Sequence, residues 1–167
     1  MSQVLGFGPA YGPQGGSPLV LEYNATVGAD FEVGEVLIHS AGEVVSAGAD
    51  PAAGTIVGIA LASDDGAPGF NMANQPTTVT GRTKNVPVAV ANGNVFRGRL
   101  VSGSATVIAP VAADVGASYG ITKFGSVWYV DKAKTGGSAR VVVTKVDTLN
   151  GYNVVWFRFI ESFTVTV

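Results

Sequence analysis

Glycine and proline set the first limit on what this chain can become. The 23 glycines and 8 prolines break its apolar residues into short runs, and no amphipathic stretch longer than about two helical turns survives between them. Residues 35–63, "EVLIHSAGEVVSAGADPAAGTIVGIALAS", show the pattern plainly: three apolar segments rich in β-branched side chains, parted by Ala/Gly/Asp/Pro turns. Such a chain is built from short strands.

Strand signals begin at Leu19. "PLVLEYNA" opens the first strand, "GEVLIHS" and "GEVVSAG" pair around Ser40-Ala41-Gly42, and "GTIVGIALAS" follows the next turn. On that pairing Val36, Ile38 and Val44 share one face, with Leu37 and Val45 on the other. Apolar residues on both faces suit a closed barrel or a sandwich covered on both sides. "VPVAVANGNVFRGRLVSG" reads as a hairpin turned by Asn92-Gly93, a dipeptide suited to positive φ. "APVAADVGASYGI" has room for one short helical turn stopped by Gly116, and the remainder supplies three more strands, turning near Gly136-Gly137 and at Asn150-Gly151. No regular internal repeat is visible. The expected fold is all-β: a compact β-barrel or sandwich of short antiparallel strands, with an extended N-terminal arm and at most a short helix.

The domain boundaries follow from the same signals. Residues 1–18 are too rich in Gly and Pro for a helix or a central strand, so they read as an arm, with residues 19–167 forming a single β-barrel-like domain. Leu5, Phe7 and Tyr11 are spaced along the arm as anchors for another surface, the alternative being a loose tail. Residues 64–85 form a long polar loop in which Phe70 and Met72 suit docking, a mobile surface loop being the other reading.

Chemistry is thinly represented. The only histidine, His39, falls within a strand, and no G-x-S-x-G elbow or H-E-x-x-H motif accompanies it. There is no cysteine, which removes thiolate catalysis and thiolate metal sites. Glu32 with Glu35, and Asp64 with Asp65, lack the calcium-loop pattern and read as solvated turn carboxylates. The glycines of "GFGPAYGPQGG" are followed by prolines where a phosphate cradle needs a helix. We therefore expect no metal, no cofactor and no enzyme activity.

Composition narrows the partners. Only 13% of residues are charged while 47% are hydrophobic, so the surface is poorly solvated and suits a macromolecular contact. Net charge is −2 and the ten basic residues are scattered along the sequence, which argues against nucleic acid. No apolar run approaches the ~18 residues of a membrane span, and the N-terminus lacks the charged and apolar regions of a secretory signal. Along the last strand Val155, Phe157 and Phe159 alternate with Val154, Trp156 and Arg158. The Phe row belongs in the core. Trp156 beside Arg158 suits either a subunit contact or the core, and Trp128, Tyr129 and Trp156 together admit a sugar-binding face.

"ADFEVGEVLIHSAGEVVSAGADPAAGTIVGIAL" resembles the opening β segment of tailed-bacteriophage capsid decoration, or cement, proteins: a "GEVL" strand, a "GEVV" partner, then "GTIVGIA" after an A/D/P/G turn. "VPVAVANGNVFRG" and "YGITKFGSVWYVDKAKTGGSARVVVTKVD" fit the same kind of chain, so the likeness covers most of residues 20–161. The resemblance implies a non-enzymatic structural protein made in the bacterial host cytoplasm. It would be carried on the outer surface of the virion, binding the expanded icosahedral head and bridging subunits of the major capsid protein. Self-association as a homotrimer, or alternatively a dimer, is implied as well, with no nucleic acid or membrane partner. Contacts with capsid or subunits would then fall to Leu5, Phe7, Tyr11, Phe70, Met72, Trp156 and Arg158. The rival is a carbohydrate- or fibre-binding β-module of a virion surface.

Overall fold

The computed structural model describes residues 6–12, 15–25, 32–48, 50–61, 84–148 and 153–165. Eleven strands appear in it: β1 (Gly8–Tyr11), β2 (Val20–Ala25), β3 (Val36–Ser40), β4 (Glu43–Ser46), β5 (Ile56–Ala60), β6 (Lys84–Val90), β7 (Val95–Val101), β8 (Ser118–Phe124), β9 (Val127–Asp131), β10 (Val141–Asp147) and β11 (Val154–Phe159). The described helical segments are single 3-10 turns, including Ala112–Asp114, after which Gly116 turns the chain at φ 84°. The all-β expectation is met.

A single barrel is not. Strands β2-β4-β3-β5-β6 close into a five-stranded barrel, and the remaining sheet, β1-β7-β11-β10-β8-β9, also closes because β7 pairs with β9. Each closure is a short parallel contact, Ala25 with Val44 in the first barrel and Leu100 with Val130 in the second, while the other pairings between the named strands are antiparallel. The two barrels have the same strand order and the same register. Leu21–Val88, His39–Val44, Leu37–Gly58 and Ala60–Val88 in the first correspond to Phe96–Phe157, Ile121–Val130, Tyr119–Val141 and Val143–Phe157 in the second. Even the entry turn repeats. Gly34 N–H donates to Ala60 O at 2.9 Å and Gly116 N–H to Val143 O at 2.8 Å, both glycines at positive φ. A structural repeat thus underlies a sequence in which none is visible, because these equivalent positions share backbone pairing and not residue type.

Two register expectations are corrected. The β3–β4 turn contains only Ala41 and Gly42, at φ 51° and 91°, so Ser40 pairs with Glu43 and Val44 falls on the face of Leu37 instead of that of Val36. Asn92-Gly93 makes no hairpin: β6 belongs to the first barrel and β7 to the second, so the turn carries the chain between them. Asn94 fixes that passage from a buried position, donating through Nδ2 to Leu19 O and Val90 O and accepting from Leu19 N–H at 3.0 Å.

Packing explains why both faces of the early strands are apolar. Ala25, Leu37, Val44, Val57, Ala60, Val86 and Val88 fill the first barrel. Val36, Ile59 and Ala89, cross-strand neighbours on the opposite face, join the cluster that contains Phe96, Trp128 and Phe157 of the second barrel. The termini cross as well. β1, which precedes the first barrel, pairs with β7 of the second, and Thr164 near the C-terminus bridges to Ile56 of the first. Arg140, 7% exposed, ties these parts together by donating from Nε to Pro51 O at 2.8 Å and from Nη1 to Gly137 O and Ala139 O, with its guanidinium 4.1 Å from the Phe163 ring centroid.

The arm therefore lies on its own chain over Phe7–Tyr11. Pro9 is tolerated because β1 is an edge strand with a bulge between Pro9 and Tyr11. Phe7 is 3% exposed and packs edge-on against Phe157 with ring centroids 4.8 Å apart. Its ring occupies the space that Gly98 leaves: a Cβ there would lie 2.6 Å from Phe7 Cδ1. Phe7→Ala is expected to cost about 3–5 kcal/mol in urea unfolding, the range for emptying a buried Phe site, and Tyr11→Ala, half-buried on the same strand, well under half of that. Equal small effects for both would show that the arm is not part of the core.

Candidate functional site

Among the described residues the buried carboxylates are Glu35, Asp114 and Asp131, and the first two carry ion pairs. Glu35 and Asp114 flank the two equivalent entry turns and are 3% and 1% exposed. Glu35 accepts from Glu32 N–H at 3.0 Å, from Ser46 Oγ at 2.6 Å and from the Lys123 ammonium. Asp114 accepts from Val111 N–H at 2.8 Å and, at 2.6 Å each, from Tyr119 Oη and Lys132 Nζ. This corrects the reading of Glu35 as a solvated turn carboxylate, since Lys123 from the second barrel neutralises it inside the interface. A catalytic acid needs a free oxygen facing a substrate. Here both carboxylates are saturated by the fold.

Burial alone would raise the Asp114 carboxyl, but the hydrogen bonds from Lys132, Tyr119 and Val111 with the Lys132 charge outweigh it and hold the group below the usual carboxylate range. The same contact acts oppositely on its donor. Burial first, and then the hydrogen bond and negative charge of Asp114, push the Tyr119 phenol up to about 12.

The aromatic candidates separate. Trp128 is fully buried, its indole N–H without an acceptor among the described residues, so it cannot line a sugar-binding face. Tyr129, the next residue on β9, is half-buried beside Phe124, with ring centroids 6.0 Å apart. Phe157 and Phe159 are core residues, as their alternation indicates, and Trp156 and Arg158 take the outer face, half-buried and exposed. His39 lies exposed at the end of β3. Phe7 is corrected from a partner anchor to a core residue; Tyr11 is half-buried on the edge strand. Leu5, Phe70, Met72, Asp64, Asp65 and the Asn150-Gly151 turn lie outside the described residues.

The outer face of β7–β11–β10 gathers what the sequence left scattered. Trp156 lies opposite Arg97 on one side and Lys145 on the other, and the Lys145 ammonium sits 4.7 Å from its ring centroid. Arg158 follows two residues along β11, and Arg99 two along β7. Lys123, Lys132 and Lys134 are paired with Glu35, Asp114 and Asp50, and Arg140 is buried against backbone carbonyls. Arg97, Arg99 and Arg158 have no carboxylate partner among the described residues. The available signal was a pair of i, i+2 spacings, Arg97/Arg99 and Trp156/Arg158, each of which places two side chains on one strand face. Joining them required the β7–β11 pairing.

A second exposed feature is repeated. Val33 and Val115, 44% and 48% exposed, occupy the same place in the two entry turns, Glu32-Val33-Gly34 and Asp114-Val115-Gly116. Val111 is 51% exposed at the base of the second turn, and Leu19 and Val20 are exposed at the start of β2. Among the described residues no group of three or more His, Asp or Glu is placed to hold a metal ion. Comparison with protein-family models, curated proteins and solved structures returns no match for this chain.

The Asp114–Tyr119 pair gives stability a pH signature at both ends. Because the Asp114 carboxyl is depressed in the fold, its contribution is present above its unfolded value near ~4 and is lost as pH falls through the lower folded value. Because the Tyr119 phenol is raised to about 12, its contribution is present below its unfolded value near ~10 and is lost as pH rises towards 12. Unfolding free energies measured against pH should therefore show an alkaline limb between these values that Tyr119→Phe flattens, and an acid limb that Asp114→Asn flattens. Limbs unchanged in both variants would contradict the assignment.

Proposed function

We propose that this protein is a structural decoration, or cement, protein that docks on the outer surface of an expanded phage head and bridges capsid subunits. The observation that carries the reading is the repeat. One chain presents the same turn twice, each with an exposed valine at its tip, held by two barrels that share a core. A rigid body with two equivalent contact points matches a lattice, in which the same surface also recurs. The resemblance of residues 20–161 to decoration proteins and the low charge of the chain support it further.

The mechanism needs no turnover. A protein that binds only the assembled shell stabilises it by mass action, by about RT ln(1 + [L]/Kd) for each site. Holding two contacts on one rigid body makes the second contact intramolecular, so a shell subunit can leave only after both release. Self-association into a trimer or dimer multiplies those contacts again.

Co-sedimentation with shells lacking the protein should show saturable binding to expanded heads and none to unexpanded precursors. Val33→Asp and Val115→Asp should each weaken apparent affinity by roughly 10- to 100-fold, and the double variant should abolish sedimentation, as expected when avidity is lost. Absence of wild-type binding to either shell would overturn the proposal.

A further inference from the structure

The two barrels treat one face differently. In the first, Val36, Ile59 and Ala89 line up across β3, β5 and β6 and are buried in the cluster shared with the second barrel. By the shared register, the corresponding residues of the second barrel are Ser118, Val142 and Arg158, across β8, β10 and β11. Ser118 and Arg158 are exposed and Val142 is half-buried. The same substitution of character continues along the next strand: Glu22 of β2, paired with Pro87, corresponds to Arg97 of β7, paired with Trp156. A face that docks protein in the first barrel stands open and basic in the second.

The geometry points to this outer face of β7–β11–β10, centred on Trp156 with Arg97, Arg99, Lys145 and Arg158, as a docking surface for an acidic stretch of a partner protein. Charge complementarity selects the occupant. In a chain of net charge −2, Lys123, Lys132 and Lys134 are neutralised and Arg140 is buried, whereas Arg97, Arg99, Lys145 and Arg158 remain exposed or half-exposed on a face where Asp147, opposite Val154, leaves the cations in excess. Arginine forks seat Asp and Glu side chains in paired hydrogen bonds, and Trp with Arg supplies the anchors that dominate protein interfaces. A nucleic acid fits less well, because a confined patch on an otherwise acidic molecule neutralises few phosphates and repels the rest of the strand. Lys145 already covers a face of the Trp156 ring, which leaves a sugar ring little room to stack there.

This inference rests on the reading of the chain as a protein-docking body, and names the face and the chemistry of the surface it meets. The face is tested without any shell. Deca-glutamate titrated into the full chain should shift Trp156 emission saturably as carboxylates draw Lys145 off the ring, with Trp156→Phe removing the response and leaving that of buried Trp128. Raising salt from 50 to 300 mM should weaken the apparent affinity by about tenfold, and Arg97→Glu/Arg158→Glu, exposed positions whose thermal midpoint should be unchanged, should abolish it. No emission change with deca-glutamate, or tighter binding of a dT10 oligonucleotide, would overturn the inference. The same double variant on expanded shells separates the two readings. Loss of its sedimentation supports both, whereas failure of wild type to sediment while deca-glutamate still binds overturns the shell and leaves the face.

Discussion

Closure of a sheet around only five strands is the constraint from which the remaining features follow. A ring that small leaves a narrow interior, so its inward residues must be few and closely fitted, and its outward faces still need cover. The first barrel meets the limit with Ala, Val, Leu37 and a glycine: a Cβ at Gly58 would collide with Ala89 O. At the positions equivalent to Val88 and Val90, the second barrel carries Phe157 and Phe159. Its closing strand β7 has one edge divided between β9 and β1, so a gap opens where β9 ends, and Phe7 fills it opposite Gly98. The arm is therefore a consequence of closure. Without it the aromatic interior would be open to water.

The same geometry governs where charge goes. Two barrels that share a core must also pair the polar groups trapped between them, and Lys123 with Glu35 and Arg140 with Pro51 O are those pairings. The first is an ion pair with its carboxylate buried and its ammonium partly exposed, the second a hydrogen bond from a buried guanidinium to a backbone carbonyl, and removing either donor leaves a buried acceptor without that partner. Elsewhere on the described surface the exposed charges are mainly carboxylates, among them Glu22, Glu32, Asp50 and Glu161, so the unpaired cations collect on the second barrel's outer face. The cations there are conspicuous for that reason.

How much of this was legible in the sequence depended on the range of the signal. Alternation along one strand was sufficient for the Phe157/Phe159 row, for the outward direction of Trp156 and Arg158, and for His39 as a strand residue. The turn at Gly116 was equally local. Properties that join distant segments were not legible. Whether Val44 sides with Val36 or Leu37 depends on a turn of two residues or three, and both readings satisfy the apolar pattern. Asn92-Gly93 carries the backbone preference of a hairpin turn, yet nothing in a dipeptide specifies whether the strands it joins pair with each other. Phe7 looked like a free anchor because its socket is made by Gly98 and Phe157, far along the chain. The repeat escaped notice for a related reason: register is fixed by backbone pairing, and Val88 and Phe157 satisfy the same inward position with different volumes.

That tolerance is also what separates the roles of the two barrels. A shared register requires only that inward positions be apolar and that entry turns accept a positive φ, so the outer faces are free to diverge without disturbing closure. Ala89 and Arg158 occupy the same place in their rings, and the backbone that carries them pairs identically. An alanine there permits a second barrel to approach closely; an arginine keeps a further barrel of the same kind away, since its guanidinium would be buried without a carboxylate. The change of side chain therefore leaves this face of the second barrel uncovered among the described residues, where the equivalent face of the first is buried.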